Sequence, residues 1–311
     1  MNPEFVDQLF KTLLHTEVTK KVHRDVYPAI SPSRPELSQA GKVVLITGGG
    51  TGVGFSSARS FVRAAADTVI ILGRRVEVLE TAVSALEKEA KVTGTNTKII
   101  SRVCDATNLT EVNEFWKDLA EKGIIVDVYI ANAAKFTEPK PILELGADEV
   151  WSQMEVNAKS PLYFVEKFYS QPSEKQKFLV NVTSAVIHMT AVLMVAERPA
   201  YVLSKMTGTM LFQLIALHVP PEKMQIVTIH PGVVYADGWK AMGFTPERFD
   251  TDELCGSFAV WAASKQAEFL HGRFVWTSWD VDELATGENR KRIDSDPEYL
   301  RASIVGANGG V

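Results

Sequence analysis

A regular alternation of short β-rich runs and longer helical runs begins at Lys42 and constrains the fold more than any other feature. Runs such as VVLIT and FLVNV are almost continuously apolar, as expected of strands buried on both faces. Strands separated by helices form a parallel sheet with helices on both faces. We therefore predict an α/β fold, a doubly wound parallel sheet of about seven strands. The predicted strands are residues 42–47, 68–73, 98–103, 125–131, 177–183, 224–230 and 273–277, and the predicted helices are 52–66, 76–90, 109–122, 147–170, 201–218 and 252–265.

Composition and charge restrict the function. The 311 residues are 46% hydrophobic and carry a formal net charge of −5, which argues against a nucleic-acid or anionic-membrane partner. No apolar run is long enough to span a membrane, and the N-terminus lacks a signal-peptide core, so we expect a cytoplasmic protein. The two cysteines, Cys104 and Cys255, have no metal-ligand spacing around them. We expect reduced, buried thiols and no metal.

We predict that the chain divides into an N-terminal extension, residues 1–40, and a single α/β domain, residues 41–311. Residues 2–22 have the apolar spacing of an amphipathic helix. Residues 25–39 contain three prolines and are predicted to be extended. The helix could pack on its own domain, join a partner subunit or lie on a membrane, and its few basic residues make the last role the weakest.

The segment KVVLITGGGTGVG, residues 42–54, joins a buried strand to a helix through a glycine-rich turn. Glycines at 48, 52 and 54 let the backbone turn sharply and approach a pyrophosphate closely. The free N–H groups at the start of the helix favour an anion. The order strand, turn and helix predicts a dinucleotide-binding site.

This segment resembles the TGxxxGxG signature of the short-chain dehydrogenase/reductase superfamily, which has a Rossmann-like fold. The resemblance extends from about Lys42 to the strand at 272–277. It implies a nicotinamide dinucleotide cofactor, a small-molecule substrate and a homodimer or homotetramer built through the helices at 147–170 and 201–218. The glycine-turn residues implied to bind the cofactor are Thr47, Gly48, Gly50, Thr51, Gly52, Val53 and Gly54.

The end of the second predicted strand, ILGRR, indicates which cofactor is preferred. NAD-specific members of the family have an acidic residue there, and Gly73 takes its place in this chain. Arg74 and Arg75 follow, and a guanidinium suits the 2′-phosphate of NADP. The alternative is that the arginines cap or solvate the next helix. Thr51 argues the other way, because many NADP-preferring relatives have a basic residue at that position.

Further cofactor contacts are implied by the resemblance after the third and fourth strands. Asp105 and Ala106 match the adenine-contact position. The segment ANAA, residues 131–134, replaces the usual NNAG, so Asn132 and Ala133 are candidate contacts, and Asn132 could equally act as a support for the sheet.

Tyr201 and Lys205 lie four residues apart and therefore share a helix face. A tyrosine has an ordinary pKa near 10, and an ammonium beside it is expected to lower that value. In the family the tyrosine exchanges a proton with the substrate oxygen, and the lysine also binds the nicotinamide ribose.

Ser184 follows the predicted strand KFLVNV and lies seventeen residues before Tyr201, a longer interval than is usual in the family. The carboxyl end of a strand is where ligands bind in such sheets, and a longer surface loop costs little. We therefore assign Ser184 as the residue that polarises the substrate oxygen, with Thr183 as the alternative. Asn157 matches the fourth member of the family's catalytic tetrad, and it could instead only bend a long helix.

The segment HPGVV, residues 230–234, matches the family's Pro-Gly motif, so Pro231, Gly232 and Val233 are expected to shape the nicotinamide pocket. Ala236 replaces a threonine often found after this motif. The family's substrate lid corresponds to residues 235–250. Candidate substrate-pocket residues are Tyr235, Trp239, Met242 and Phe244 in the lid, together with His188 in the loop after Ser184.

The sequence thus predicts an NADP(H)-dependent oxidoreductase, with NAD(H) possible, acting on a carbonyl or secondary alcohol of a small apolar compound. The N-terminal extension and the unusual C-terminal tail resemble fungal members attached to secondary metabolism. Two alternatives remain open: a non-redox isomerase, dehydratase or cyclase on the same fold, and a cofactor-sensing interaction protein.

Overall fold

As predicted, seven parallel strands form one sheet; the structure shows their order to be β3-β2-β1-β4-β5-β6-β7. The computed structural model describes residues 18–137, 139–190, 192–241 and 243–304. The strands are β1 Val43–Thr47, β2 Thr68–Gly73, β3 Lys98–Val103, β4 Val128–Ala131, β5 Lys177–Val182, β6 Met224–His230 and β7 Arg273–Trp276. The order reverses between β1 and β4, which opens a crevice at the carboxyl ends of these two strands.

Helices connect the strands at the predicted positions. The α-helices are α1 Gly52–Arg63, α2 Val76–Thr93, α3 Leu109–Glu121, α4 Ile142–Leu145, α5 Ala147–Met154, α6 Ser160–Tyr169, α7 Leu193–Ala196, α8 Pro199–Ala216, α9 Asp237–Ala241, α10 Asp252–Ala262, α11 Val281–Ala285 and α12 Gly287–Ser295. A π-helical turn, Glu155–Lys159, joins α5 to α6. The six predicted helices are confirmed to within a few residues, whereas the short helices α4, α7, α9 and α11 and the nine-residue helix α12 were not predicted. Such short segments have too few residues to show a periodic pattern.

The sheet separates two hydrophobic layers. One layer contains α1, α2 and α10, with Phe61 and Phe258 fully buried. The other contains α3, α6 and α8, with Phe164 and Phe212 fully buried. Helices α1 and α10 pack closely, because a Cβ atom on Gly256 would lie 2.5 Å from the Ser56 carbonyl oxygen.

The described part of the N-terminal extension differs from the prediction. Residues 18–22 are not helical, and Val22 instead forms an antiparallel bridge with Trp279, so the predicted helix cannot reach residue 22. Residues 25–39 contain two 3₁₀ turns, Pro28–Ile30 and Pro35–Leu37, each of which begins at a proline. Proline fits the first position of a helical turn because its fixed φ suits it and its missing N–H has no partner there. Most of the predicted N-terminal helix lies outside the described residues.

The described residues of the extension pack against the core of the sheet. Ile30 and Leu37 are fully buried in the layer that contains α1 and α10. The Tyr27 hydroxyl donates to the Trp279 carbonyl oxygen (2.9 Å) and accepts from the Val281 amide (3.0 Å). The extension therefore joins the C-terminal tail to the core.

Candidate active site

The glycine turn between β1 and α1 forms the floor of the crevice. Gly48 and Gly52 have φ values of +67° and +52°, which favour glycine. A Cβ atom on Gly54 would overlap the Gly48 carbonyl oxygen and approach Asn132 Nδ2 to 2.5 Å. Thr51, the N-cap of α1, makes no side-chain capping hydrogen bond. The first N–H groups of α1 therefore remain available to an anion.

Asn132 supports the glycine turn. Its Nδ2 donates to the carbonyl oxygens of Thr47 (3.0 Å) and Gly48 (3.2 Å). In return, Thr47 Oγ1 accepts from the amides of Asn132 (3.1 Å) and Ala133 (3.2 Å). These bonds join the end of β4 to the turn after β1, so Asn132 has the supporting role that the sequence left open.

The crevice is a cavity of about 1070 Å³ that contains most of the predicted cofactor-binding residues. Its walls include Thr47, Gly48, Gly50, Thr51, Val53, Gly54, Arg74, Arg75, Asp105, Ala106, Asn132 and Ala133. Gly52 lies in the same turn, at the start of α1. The Pro231–Val233 segment and Lys205 lie further along the same edge of the sheet, where β5 and β6 end.

Two arginines and one aspartate stand at the far end of the cavity. The Arg74 side chain is 76% exposed, and its Nη1 lies 4.0 Å from Asp105 Oδ2. Asp105 Oδ1 accepts from the Thr107 amide (2.9 Å) and hydroxyl (2.8 Å). Burial alone would raise the pKa of Asp105, but the bonds from Thr107 and the nearby Arg74 hold it below its ordinary value. Arg75 is exposed and starts α2 without a side-chain capping bond.

Ser184 and Tyr201 are brought together across the longer loop. Ser184 follows β5 directly, and its Oγ accepts from the Val186 amide (3.4 Å), which caps a 3₁₀ turn. Tyr201, on the first turn of α8, faces the Ser184 side chain closely enough for the serine to lower the pKa of the phenol. Thr183 Oγ1 instead bonds with Thr209 Oγ1 (2.8 Å) in the interior, so it is not directed at Tyr201.

Lys205 is buried beneath Tyr201, but its ammonium bonds elsewhere. Lys205 Nζ donates to the Val182 carbonyl oxygen (3.0 Å) and lies 5.9 Å from the centroid of the Tyr201 ring. Burial lowers the pKa of Lys205 to about 8. Burial also raises the pKa of Tyr201 to about 12, and the nearby Ser184 opposes this rise only in part. The expected lowering of the Tyr201 pKa by Lys205 is therefore absent from this arrangement, because desolvation outweighs the attraction of a distant ammonium.

Asn157 lies in the π-helical turn between α5 and α6, a type of turn that is frequent at functional sites. Its Oδ1 accepts from the Lys135 amide (2.8 Å), and its Nδ2 donates to the Lys135 carbonyl oxygen (2.7 Å) and to Ser204 Oγ (2.8 Å). A Cβ atom on Gly208 would lie 2.6 Å from the Asn157 carbonyl oxygen, so α8 passes close to this turn. The side chain of Asn157 thus fixes the loop after β4 to α8.

The predicted lid residues pack mainly against one another. Tyr235, Trp239 and Phe244 form an aromatic cluster with Phe249, with ring centroids 5.1–6.2 Å apart. The Tyr235 hydroxyl donates to the Phe244 carbonyl oxygen (2.9 Å). Phe244 is buried inside the lid, whereas Tyr235 and Trp239 are half-buried and retain some free surface. Met242 lies outside the described residues.

His188 is exposed above the end of β7. Its Nε2 accepts from Trp276 Nε1 (3.3 Å), and its ring packs against Phe274 with centroids 5.8 Å apart. Because Nε2 accepts this bond, a neutral His188 carries its proton on Nδ1. Burial of part of the ring lowers the pKa of His188, which favours this neutral form.

Sequence reasoning missed Phe136, which lies beside the phenol. Its ring meets the Tyr201 ring edge to face, with centroids 5.8 Å apart, and its side chain is 66% exposed at the cavity wall. The only sequence signal was an aromatic residue shortly after the end of β4. Phe136 gives the crevice an apolar surface directly next to Tyr201.

A family model described as short chain dehydrogenase matches residues 42–244, from β1 through most of the lid. The chain belongs to the short chain dehydrogenase family. This assignment covers the glycine turn, Ser184, Tyr201 and Lys205, and it makes the protein an oxidoreductase of that family.

Fungal proteins are among its relatives. The short chain dehydrogenase/reductase nsrO of Aspergillus novofumigatus is 29% identical over 92% of this chain and 96% of its own length. A short chain dehydrogenase/reductase of Claviceps purpurea is 30% identical over 92% of this chain and 94% of its own length. The resemblance to fungal members is thereby confirmed.

Solved structures share the fold at low sequence identity. A putative gluconate dehydrogenase from Agrobacterium tumefaciens aligns with a TM-score of 0.69 and 20% identity, covering 82% of this chain and all of that one. L-sorbose reductase from Gluconobacter frateurii, solved with NADPH and L-sorbose, aligns with a TM-score of 0.65 and 18% identity, covering 78% of this chain and 96% of that one.

In the part of the chain that the structure describes, no helix is long and apolar enough to cross a membrane.

Proposed function

We propose that this family member is an NADP(H)-dependent oxidoreductase that interconverts a carbonyl and a secondary alcohol in a small, apolar substrate. The observation that carries the proposal is the pairing of Tyr201 with Ser184 at the carboxyl end of β5, next to the glycine-lined crevice. A binding protein would need the crevice but not a half-buried phenol and hydroxyl beside a buried ammonium.

The residues of the crevice fit a dinucleotide. The glycine turn leaves room for a pyrophosphate at Gly52, where a Cβ atom would meet no described atom within 4 Å. Gly48 and Gly54 instead let the turn pack closely against Asn132. The uncapped start of α1 offers N–H groups to the phosphates. When bound, the nicotinamide would supply or accept the hydride.

Tyr201 and Ser184 would handle the substrate oxygen. With a pKa of about 12, Tyr201 is a neutral phenol near pH 7 and can donate a proton to the oxygen of a carbonyl that is being reduced. Ser184 would donate a hydrogen bond to the same oxygen. Lys205, with a pKa of about 8, remains largely charged at neutral pH and favours the phenolate that Tyr201 leaves.

Arg74 and Arg75 support NADP(H) over NAD(H). Both line the cavity, and the preceding Gly73 offers no carboxylate that would repel a 2′-phosphate. Arg74 is mostly exposed, and its nearest acidic partner, Asp105, is 4.0 Å away. Its guanidinium is therefore free to bind a phosphate in a bidentate manner.

Apolar surfaces beside Tyr201 and in the lid support an apolar substrate. Phe136 covers one side of the phenol, and Tyr235 and Trp239 keep part of their rings free in the lid. Pockets lined by aromatic side chains with a few polar groups are typical of small-molecule sites.

An exposed stripe on α8 supports a homodimer or homotetramer. Leu203, Met206, Met210 and Leu214 follow one another at helical spacing, Leu217 continues the stripe just beyond the helix, and all five side chains are exposed. Leu162 on α6 is also exposed. A row of large apolar side chains on one helix favours a protein partner, and we assign a second copy of this chain.

Fluorescence titration with NADPH and NADH tests the cofactor. We expect tight NADPH and weak NADH binding, and Arg74→Gln should weaken NADPH binding about 10–100-fold, the scale of charge-assisted hydrogen bonds. Lys88→Gln, on α2 outside the cavity, is the matched control and should bind NADPH like the wild type. Equal affinity of the wild type for NADPH and NADH would overturn the NADP preference, and absence of binding to both would overturn the proposed reaction.

One further observation distinguishes the proposed oxidoreductase from an enzyme that uses the same site for a non-redox reaction. Ketones and alcohols should be converted with a matching change in nicotinamide absorbance. Product formation from a substrate without any net change in that absorbance would favour an isomerase, dehydratase or cyclase.

A further inference from the structure

The two ends of the lid are fastened together by Asp250. Its amide donates to the Val233 carbonyl oxygen (3.0 Å), and its Oδ2 accepts from the Val233 amide (2.7 Å). The carboxylate packs over Gly232, where φ is +91° and a Cβ atom would lie 2.6 Å from Oδ2. Asp250 therefore fixes the backbone of the Pro231–Val233 segment from outside.

Arg24 of the N-terminal extension holds Asp250 in turn. Arg24 Nε lies 3.6 Å from Asp250 Oδ1. The neighbouring backbone is fixed as well, because the Arg24 carbonyl oxygen accepts from the Thr251 amide (2.8 Å) and Asp25 Oδ1 accepts from the Thr251 hydroxyl (2.8 Å). His23, whose amide donates to the Ser278 carbonyl oxygen (2.7 Å), anchors the same segment to the tail after β7.

A negative charge on Asp250 requires a nearby cation, which Arg24 provides. The residue is only 4% exposed, and its Oδ1 makes no hydrogen bond within the described part of the chain. A buried carboxylate is strongly disfavoured without a cation, and Arg24 is the cation that approaches it. Loss of Arg24 would leave Asp250 to rotate towards water and to release the Val233 amide.

We propose that Arg24 is a positioning residue for the active site: through Asp250 it holds the Pro231–Val233 segment and the base of the lid in the shape that receives the nicotinamide end of the cofactor. The proposal rests on the proposed function, since it assigns this segment to the nicotinamide. The N-terminal extension then helps to hold the active site in shape.

The proposed role of Arg24 is tested by hydrogen–deuterium exchange and by the binding of two ligands, NADPH and 2′,5′-ADP. Arg24→Met should increase amide exchange in residues 233–250 of the unliganded protein. It should also weaken NADPH binding by about tenfold, in the usual range for coupling between sites, and leave the binding of 2′,5′-ADP, which lacks the nicotinamide, unchanged. Arg24→Lys, which keeps the charge, should restore most of both properties.

Arg34→Met is the matched control, because Arg34 lies in the same extension but donates to the Ala29 carbonyl oxygen, away from the lid. If Arg24→Met is too unstable to study, Asp250→Ala removes the carboxylate that accepts from the Val233 amide and should give the same pattern. Unchanged exchange in residues 233–250, or equal weakening of NADPH and 2′,5′-ADP, would overturn the proposal. Failure of the wild type to bind NADPH would instead count against the proposed function. In that case the amide exchange of residues 233–250 would still test whether Arg24 holds the lid.

Discussion

Tyr201 shows how strongly its surroundings decide what a residue can do. On an isolated helix, a lysine four residues away would stabilise the phenolate. In the folded chain the ammonium bonds to the Val182 carbonyl oxygen, burial raises the pKa of Tyr201, and Ser184 lowers it only in part. Tyr201 is therefore a neutral phenol at neutral pH, which is the form that the proposed reaction requires of a proton donor.

Replacing Tyr201 by Phe removes this proton donor and leaves the ring in place. We expect turnover to fall by about 10²–10⁴-fold, the scale of general acid–base catalysis, while NADPH affinity is preserved. Steady-state kinetics and fluorescence titration on the same preparation measure both. Thr207→Val, on the exposed side of the same helix, is the control; turnover near the wild-type level in Tyr201→Phe would remove Tyr201 from the mechanism.

The burial of His230 predicts that the folded protein loses stability at acidic pH. It ends β6 and packs edge to face on Trp276, with centroids 4.9 Å apart, and neither ring nitrogen has a partner in the described residues. Burial lowers its pKa to about 3, with a smaller effect from His188. Below pH 6.5, His230 binds a proton in the unfolded chain but stays neutral in the folded chain. The free energy of unfolding therefore falls as the pH falls towards 3, by up to about 1.4 kcal/mol per pH unit.

Denaturant unfolding of His230→Phe between pH 7 and pH 4 tests this expectation. The variant should lose less stability than the wild type over that interval, because it has no proton to take up at this site. His218→Gln, a change at an exposed histidine just after the end of α8, should behave like the wild type. An identical pH dependence in His230→Phe and the wild type would contradict the prediction.

The glycine turn is the element whose shape depends most on single positions. Gly54→Ala would place a Cβ atom against the Gly48 carbonyl oxygen and Asn132 Nδ2. Neither group can move without breaking the bonds that join β4 to the turn. We expect a loss of about 2 kcal/mol or more in the free energy of unfolding, as for other overpacked sites, together with loss of NADPH binding.

Gly50→Ala is the matched control for the fold. The nearest atom to its Cβ would be Val78 Cγ1 at 3.0 Å, a side-chain methyl group that can shift. Its unfolding midpoint should stay closer to that of the wild type. Urea unfolding of both variants measures the difference, and equal stabilities would show that the contact between Gly54 and Gly48 does not limit the turn.

Among the elements, long segments were predictable and short ones were not. The strands from VVLIT to FLVNV and the six long helices have enough residues to show their period, and the structure confirms them. The π-helical turn at Glu155–Lys159 has no such pattern. It depends on Asn157 bonding to Lys135 and Ser204, which are 22 and 47 residues away.

At the scale of the whole molecule, the exposed stripe on α8 predicts assembly. Leu214→Glu would place a charge within this apolar row and should convert the oligomer to a monomer of 34.3 kDa. Light scattering after size-exclusion chromatography gives the mass. Leu143→Glu changes an even more exposed leucine outside the stripe and should leave the oligomer intact. A wild-type protein that is itself monomeric at micromolar concentration would contradict the assignment.

The sequence by itself determined the parallel sheet, the glycine turn and the positions of Ser184, Tyr201 and Lys205, because these follow from local patterns and from a strand or helix end only a few residues away. The tertiary structure alone decided which groups share a site. Arg24 reaches Asp250, Phe136 reaches Tyr201, and the lid aromatics fill the lid itself. These contacts join residues that are distant along the chain, and their energies depend on burial, which no local pattern specifies.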